Sequence, residues 1–208
     1  MAGLFVRGDR EVRRIYRESY SLWGTGLSPE GYFGLWQDVR ATDWGSRYMD
    51  FLTWEEGGAI LSSMKPYRPR YHHNGESVRI SVIGAVYTPA RHRREGHAAA
   101  LIRAVLAQAR EAGDPFALLF TDIGTAYYQG LGFHALPATS ALARQVSSRP
   151  PAGDSVDLSP VSGACLQEVR DAHEAGMERY DLRIVRDRAH WEFLLTRAER
   201  YFHRAVVS

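Results

Sequence analysis

The sequence predicts an α/β (α+β) fold, and three stretches carry the prediction. Residues 80–133 run from a strand through a basic turn into a helix, then a second strand and a short aromatic helix. Residues 47–64 hold two β-rich runs joined by a Gly-Gly turn, and residues 9–39 hold two segments with apolar residues at helical spacing.

In chain order, DREVRRIYRESY opens a first helix with Asp9 as its N-cap and Val12, Ile15, Tyr16 and Tyr20 on one face. After a loop with Gly24 and Gly26, Ser28-Pro29-Glu30 reads as an N-cap, a proline at the first helical position and an acidic first turn. Tyr32, Phe33, Leu35, Trp36 and Val39 give this second helix an aromatic face. Arg47 to Trp54 and Ala59 to Met64 pair as an antiparallel hairpin about a solvated turn, Glu55 to Gly58. PYRPRYHHNGES follows as a polar loop with a turn signal at Asn74-Gly75. His72 and His73 adjoin one another there without a third ligand at matching spacing, so no metal is expected.

Ile80 to Val86 is apolar and β-branched, interrupted by Gly84 alone, which suits a buried strand. Pro89 ends it, having no N–H to donate to a ladder. The helix that follows lines up Ala98, Leu101, Ile102, Val105, Leu106 and Ala109 on one stripe and ends at Gly113, with Pro115 just beyond. Its start is the chemically informative point. First-turn N–H groups lack intrahelical partners and carry the positive end of the helix dipole, so an anion such as a pyrophosphate fits there. Gly96 and Ala98 keep side-chain bulk away from the backbone, while Arg91, Arg93 and Arg94 add positive charge. Taken alone, these residues describe a basic loop capping an ordinary helix equally well. Ala117 to Thr121 then makes a second buried strand, running into TDIGTAYYQGLGF.

Composition narrows the field. Of the 208 residues, 45% are hydrophobic and 24% charged, the profile of a globular chain able to bury a core. A net charge of +2 does not call for nucleic acid, and ARHRR alone is no groove-reading motif. Cys165, the single cysteine, excludes an internal disulfide framework and a cysteine-based metal cluster. No apolar run is long enough to span a bilayer and no signal pattern stands at Met1, so no membrane partner and a cytoplasmic location are expected.

The spacing Arg93-x-x-Gly96-x-Ala98 after a strand, with Tyr127-Tyr128 before Leu131-Gly132-Phe133, resembles the GNAT superfamily of N-acetyltransferases. LFTDIGTAYYQGLGF is similar to the aromatic helix of its two-unit members, the enhanced-intracellular-survival aminoglycoside acetyltransferases and the fungal lysine N-acetyltransferases. The resemblance is strong over residues 80–136, moderate over 9–79 and weak after 155. It implies a mixed, mostly antiparallel central sheet flanked by helices, with a helical C-terminal extension. It divides the chain into a GNAT domain at 1–145, a linker at 146–155 (VSSRPPAGDS) and residues 156–208, a C-terminal helical extension or a partial second GNAT-like unit.

The same resemblance implies acetyl-CoA as co-substrate and a primary amine of a small molecule as acceptor, attacked directly through a tetrahedral intermediate. Arg93, Arg94, Glu95, Gly96, His97 and Ala98 would hold the pyrophosphate, and Val86, Tyr87 and Thr88 would line the acyl end of the wedge between the two strands. Tyr128 stands where the family keeps the tyrosine that protonates the leaving thiolate, whereas Tyr127 reads as a packing residue. Trp23, Tyr32, Trp36, Trp44 and Asp122 are candidates for the acceptor side. Asp122 and His134 are candidates for the base, with a helix cap and a local pair as their structural alternatives, and Glu55 and Glu56 could draw in a cationic amine. Two other readings stay open: a non-catalytic CoA-binding module, and a protein or peptide N-acetyltransferase. After Phe133, His134 to Gln145 would supply the last strands and Val156 to Pro160 a short one. Residues 162–176 would be helical, and a helix opened by Asp187 would place Trp191, Leu194, Leu195, Ala198, Tyr201 and Phe202 on one face, a possible homo-oligomer surface.

Overall fold

The computed structural model describes residues 2–6, 8–24, 26–137 and 164–205. The strands expected within 138–145 and 156–160 and the linker at 146–155 lie outside the described residues. The chain forms two compact units, one made of Met1–Phe120 with Ala175–Ser208 and one of Thr121–Glu174.

The first unit is built on a five-stranded sheet of order β1-β2-β3-β6-β7. Its strands are β1 (Gly3–Val6), β2 (Leu52–Glu56), β3 (Ala59–Tyr67), β6 (Ser81–Tyr87) and β7 (Ala117–Leu119). Neighbours are antiparallel except β6 and β7, which run parallel and are joined by helix α4 (His97–Glu111). A second sheet of order β5-β4-β8 comes from β4 (Arg70–His73), β5 (Glu76–Arg79) and β8 (Leu182–Ile184). The mixed, mostly antiparallel architecture with flanking helices is the one expected.

Helices α1 (Asp9–Trp23), α2 (Pro29–Ala41) and α3 (Asp43–Tyr48) precede the first hairpin. Ser28 caps α2 as expected, its Oγ accepting from Gly31 N at 3.1 Å with Pro29 in the first turn. Asp9 is not a cap: Gly8 holds that position, and Asp9 lies in the first turn, where its carboxylate meets Arg40 Nη1 at 3.1 Å. The strand expected from Arg47 begins only at Leu52. Thr42 Oγ1 accepts from Gly45 N at 3.0 Å and nucleates α3 over those residues instead. The β2–β3 hairpin turns through Gly57 and Gly58, at φ +56° and +79°, the left-handed pair that a two-residue hairpin requires.

Two strands come from the presumed polar loop. β4 and β5 pair about Asn74-Gly75, at φ +50° and +84°, so the turn signal was right and the loop around it is a hairpin. β1 and β8 were not expected, and each lies at the edge of its sheet. Residues Ala164–Met177 form helix α6, and α7 (Arg188–Ala205) opens as expected at Asp187, whose Oδ1 accepts from His190 N at 2.9 Å. α7 packs on α2 and α3. Trp44 stacks on His190 at 4.4 Å and meets Phe193 at 4.4 Å, so Phe193, absent from the predicted face, is the more buried anchor. The second unit holds the short helix α5 (Ala126–Gln129) and most of α6.

The core lies between the helices and the sheet. Val12, Ile15 and Tyr16 of α1 meet Tyr32, Leu35, Trp36 and Val39 of α2, with Phe51, Ile60, Tyr87 and Phe193. Tyr16 is its hub, edge-on to Tyr32 at 5.3 Å and stacked on Trp36 at 6.1 Å.

Candidate functional site

β6 and β7 pair only at Ser81↔Ala117, Val82↔Leu118 and Ile83↔Leu119. Beyond Ile83, Gly84 to Tyr87 have no β7 partner, so that edge of the last half of β6 is left without a β7 ladder. On its other side β6 keeps β3, but the register slips between Ser63↔Tyr87 and Lys65↔Gly84, and Ala85 takes φ +49°. That is a β-bulge, a device that bends a strand and re-aims its backbone groups. Gly84 leaves room for Tyr67: a Cβ there would stand 3.0 Å from Tyr67 Cε2, so the ring would have to give way.

Past β6 the chain folds into the basic loop. Thr88 O accepts from Arg93 Nε at 3.1 Å, and Thr88 Oγ1 lies 3.1 Å from Ser62 Oγ. Arg94 at φ +69° and Gly96 at φ +81° are both left-handed, and Gly96 is the N-cap of α4. No side chain caps this helix, and nothing lies within 4 Å of the place a Gly96 Cβ would take. The first-turn N–H groups of α4 therefore open onto an uncrowded surface carrying Arg91, Arg93 and Arg94, and the cradle fits a pyrophosphate. Ala98 adds no more than a methyl group to the first turn. A 540 Å³ groove lined partly by Gln108, Glu111 and Ala112 sits at the opposite end of α4 and has no such features.

On the α1 side, Tyr87 Oη donates to Glu18 O at 3.2 Å, and Trp23 meets the Tyr87 ring edge-on at 6.2 Å. Burial raises the Tyr87 phenol above its ordinary value, and the Glu18 carboxylate adds to this while Arg93 and Arg91 oppose it. Glu18 was not singled out in the sequence, where it reads as one more exposed helix charge. Its carboxylate lies 3.3 Å from Arg14 and 3.9 Å from Arg91 of the loop. Trp23 is half-buried, whereas Tyr32, Trp36 and Trp44 are buried in the core.

β3 supplies a second residue that the sequence hid. Lys65 is buried, its Nζ 3.3 Å from the Trp36 ring centre and 4.6 Å from that of Tyr16. Burial drives its ammonium well below the ordinary lysine range, and Arg197 adds to the effect. Glu55 also departs from expectation. It is buried within β2 rather than in a solvated turn, accepting from Thr53 Oγ1 at 2.6 Å, while Glu56 stays exposed.

In the second unit, α5 carries Tyr127 and Tyr128, their rings 5.1 Å apart. Leu131 N and Phe133 N both donate to Tyr128 O, and Gly132 makes the turn at φ +93°. Burial raises the Tyr128 phenol above its ordinary value, partly offset by a hydrogen bond with Thr121. At neutral pH it therefore holds its proton. Asp122 is exposed and does not cap α5, whose N-cap is Thr125 with no side-chain bond; Thr121 Oγ1 instead closes the turn onto Ile123. His134 is exposed.

Known proteins share this architecture. A transcriptional regulator from Bacillus halodurans C-125 is 14% identical, with a TM-score of 0.56 over 69% of this chain and 100% of its own. The aminoglycoside acetyltransferase AAC(6')-Iy, solved with a CoA-S-monomethyl-acetylneamine bisubstrate analogue, is 14% identical, with a TM-score of 0.54 over 70% of this chain and 99% of its own. Glucosamine-6-phosphate N-acetyltransferase from Arabidopsis thaliana is 12% identical, with a TM-score of 0.54 over 70% and 99%. At such identities these likenesses show the fold. No curated protein matches the sequence. The family model described as Acetyltransferase (GNAT) domain matches residues 16–136, more than half of the chain. The chain belongs to the GNAT acetyltransferases, enzymes that use acetyl-CoA as co-substrate.

Proposed function

We propose that this chain transfers the acetyl group of acetyl-CoA to a primary amine of a small molecule. The observation that carries the reading is the parting of β6 from β7 after Ile83↔Leu119, directly ahead of the uncapped start of α4. The first-turn N–H groups of Gly96, His97 and Ala98, with Arg93 and Arg94, would hold the pyrophosphate. Glu95 belongs to the same loop. The β7-facing backbone of Val86, Tyr87 and Thr88, released from pairing, supplies donors for a developing oxyanion. Acetyl-CoA contributes an activated acyl group on a thiol that must be protonated as it leaves. Tyr128, a phenol that keeps its proton at neutral pH, is the proposed donor.

A lysine-type amine is neutral in only about one molecule in a few thousand near pH 7, so it needs a carboxylate or water to take its proton. Glu18, beside Tyr87 and Trp23, is better supported for drawing in a cationic amine than Asp122, His134 or Glu55. The class of amine is proposed from the resemblance to the lysine and enhanced-intracellular-survival enzymes. A second reading, a CoA-binding module without catalysis, is favoured by one observation: Tyr32 and Trp36 are packed in the core rather than lining an acceptor cavity.

Thiol release from acetyl-CoA, measured against free lysine, polyamines, aminoglycosides and a lysine-containing peptide, separates the readings. The proposal expects release with a small amine and a fall of about a hundredfold or more in Tyr128→Phe, with CoA binding retained. Release only with the peptide would move the acceptor class to protein. No release from folded protein that binds CoA would favour the non-catalytic module.

A further inference from the structure

Three side chains with metal-ligand chemistry meet on the loop ahead of α4. His92 ends a 3-10 turn, Ala90–His92, Glu95 follows, and His97 is the first residue of the helix. Glu95 Oε2 lies 2.9 Å from His97 Nε2 and 3.9 Å from His92 Nδ1. One ligand atom from each of the three falls within 4.8 Å of the others. Bonds of about 2.0–2.1 Å to imidazole nitrogen and carboxylate oxygen, at the tetrahedral angle, put donor atoms roughly 3.3 Å apart. The two Glu95 distances bracket that value. The left-handed residues Arg94 and Gly96, one on each side of Glu95, turn the chain so that six consecutive residues bring all three groups together. Both imidazoles are largely covered, at 22% and 19% side-chain exposure, and so are held in place, while the carboxylate is 54% exposed.

We propose that His92, Glu95 and His97 form a binding site for a divalent transition-metal ion of the zinc class. Two imidazoles and one carboxylate, with a fourth position left to water, suit such an ion better than calcium or magnesium, which take oxygen ligands. Sequence reading passed over the trio because it judged histidines by adjacency, at His72-His73, whereas the spacing His-x-x-Glu-x-His becomes a cluster only through two left-handed residues.

The surroundings set the terms of binding. His97 Nε2 and Glu95 Oε2 now share a hydrogen bond at 2.9 Å, so the ion takes the place of that contact. Arg91 Nε donates to His92 Nε2, which leaves the neutral ring's proton on Nδ1. Coordination through Nδ1 needs the other tautomer, so Arg91 must let go, and Glu18, 3.9 Å from Arg91 Nη2, can receive it. Arg91, Arg93 and Arg94 also repel a second cation. Removing Arg91 should therefore tighten binding, an unusual sign for the loss of a neighbour.

The inference concerns metal binding and holds whether or not the chain transfers acetyl groups. Its test is a titration of tag-free protein with Co2+, read by visible absorption, and with Zn2+, read by calorimetry, near pH 7. The expected result is one ion per chain, with affinity reduced about tenfold or more in His92→Ala and in Glu95→Gln. It should be raised in Arg91→Ala and unchanged in His72→Ala/His73→Ala. Glu95 is exposed, so its variant reads the site without risk to folding. Absence of binding in the wild type, binding that survives both His92→Ala and Glu95→Gln, or loss confined to the His72/His73 variant would overturn the proposal.

Discussion

The loop between β6 and α4 leaves its donors at the surface, whereas β3 carries Lys65 into the core. At the loop, first-turn N–H groups have no side-chain cap, Gly96 keeps the approach clear and three arginines gather without a carboxylate for each among the described residues. Inside, Lys65 lies against Trp36 and Tyr16, and Tyr16 Oη, Trp36 Nε1 and Ser63 Oγ are buried with no hydrogen-bond partner among the described residues. Unmet donors in contact with water cost little and are available to a ligand. Buried ones cost stability and are available to nothing outside. The contrast is the ground for proposing the loop as the binding element and for reading the Lys65 cluster as a matter of folding.

Substitutions can break this contrast from either side. The largest effect is expected at Gly96, where a β-branched side chain at φ +81° is strained by about 1–2 kcal/mol or more. Gly96→Val should weaken CoA by about tenfold or more, read by calorimetry, because the loop must reshape to relieve the strain. Gly84→Ala attacks β6, the strand ahead of the loop. Its Cβ would press on Tyr67, and overpacking of this kind costs about 1–3 kcal/mol, measurable by chemical denaturation. An unchanged midpoint would show that Tyr67 can retreat.

The most diagnostic effect belongs to Lys65→Met. Because burial depresses the folded-state pKa, the unfolded chain holds more protons between that value and about 10.4, and this group's contribution makes stability rise with pH across the interval. Methionine removes the slope. The variant should be more stable than wild type at neutral pH, with the gain shrinking as pH rises toward about 10. Parallel pH profiles for the two proteins would mean that Lys65 is charged in the fold and held by the Trp36 face.

Much of the architecture was legible because local signals and tertiary structure agreed. Ser28-Pro29 starts a helix wherever it lies, Gly57-Gly58 closes a hairpin, and the stripe from Leu101 to Ala109 needs a sheet to cover it. β1 and β8 were not, because Gly3–Val6 and Leu182–Ile184 are strands only by virtue of their partners β2 and β4. The same division runs through the site. Gly96, Ala98 and Tyr128 were singled out as candidates by spacing, while Glu18 becomes a candidate only when Tyr87 reaches it from 69 residues away. Lys65 was not singled out, since nothing in its neighbours reveals that Tyr16 of α1 and Trp36 of α2 lie against it. Glu55 was misjudged because β2 runs on through it to Glu56, and strand alternation puts its side chain on the face of Thr53, whose Oγ1 donates to it.

The most direct test of the central claim is calorimetric titration of CoA into the wild type, Arg94→Ala/Gly96→Val and Lys65→Met under one set of conditions. The account predicts saturable binding to the wild type, loss of about tenfold or more in the loop variant, and wild-type affinity in Lys65→Met. Equal affinity in all three proteins, or a loss confined to Lys65→Met, would contradict it.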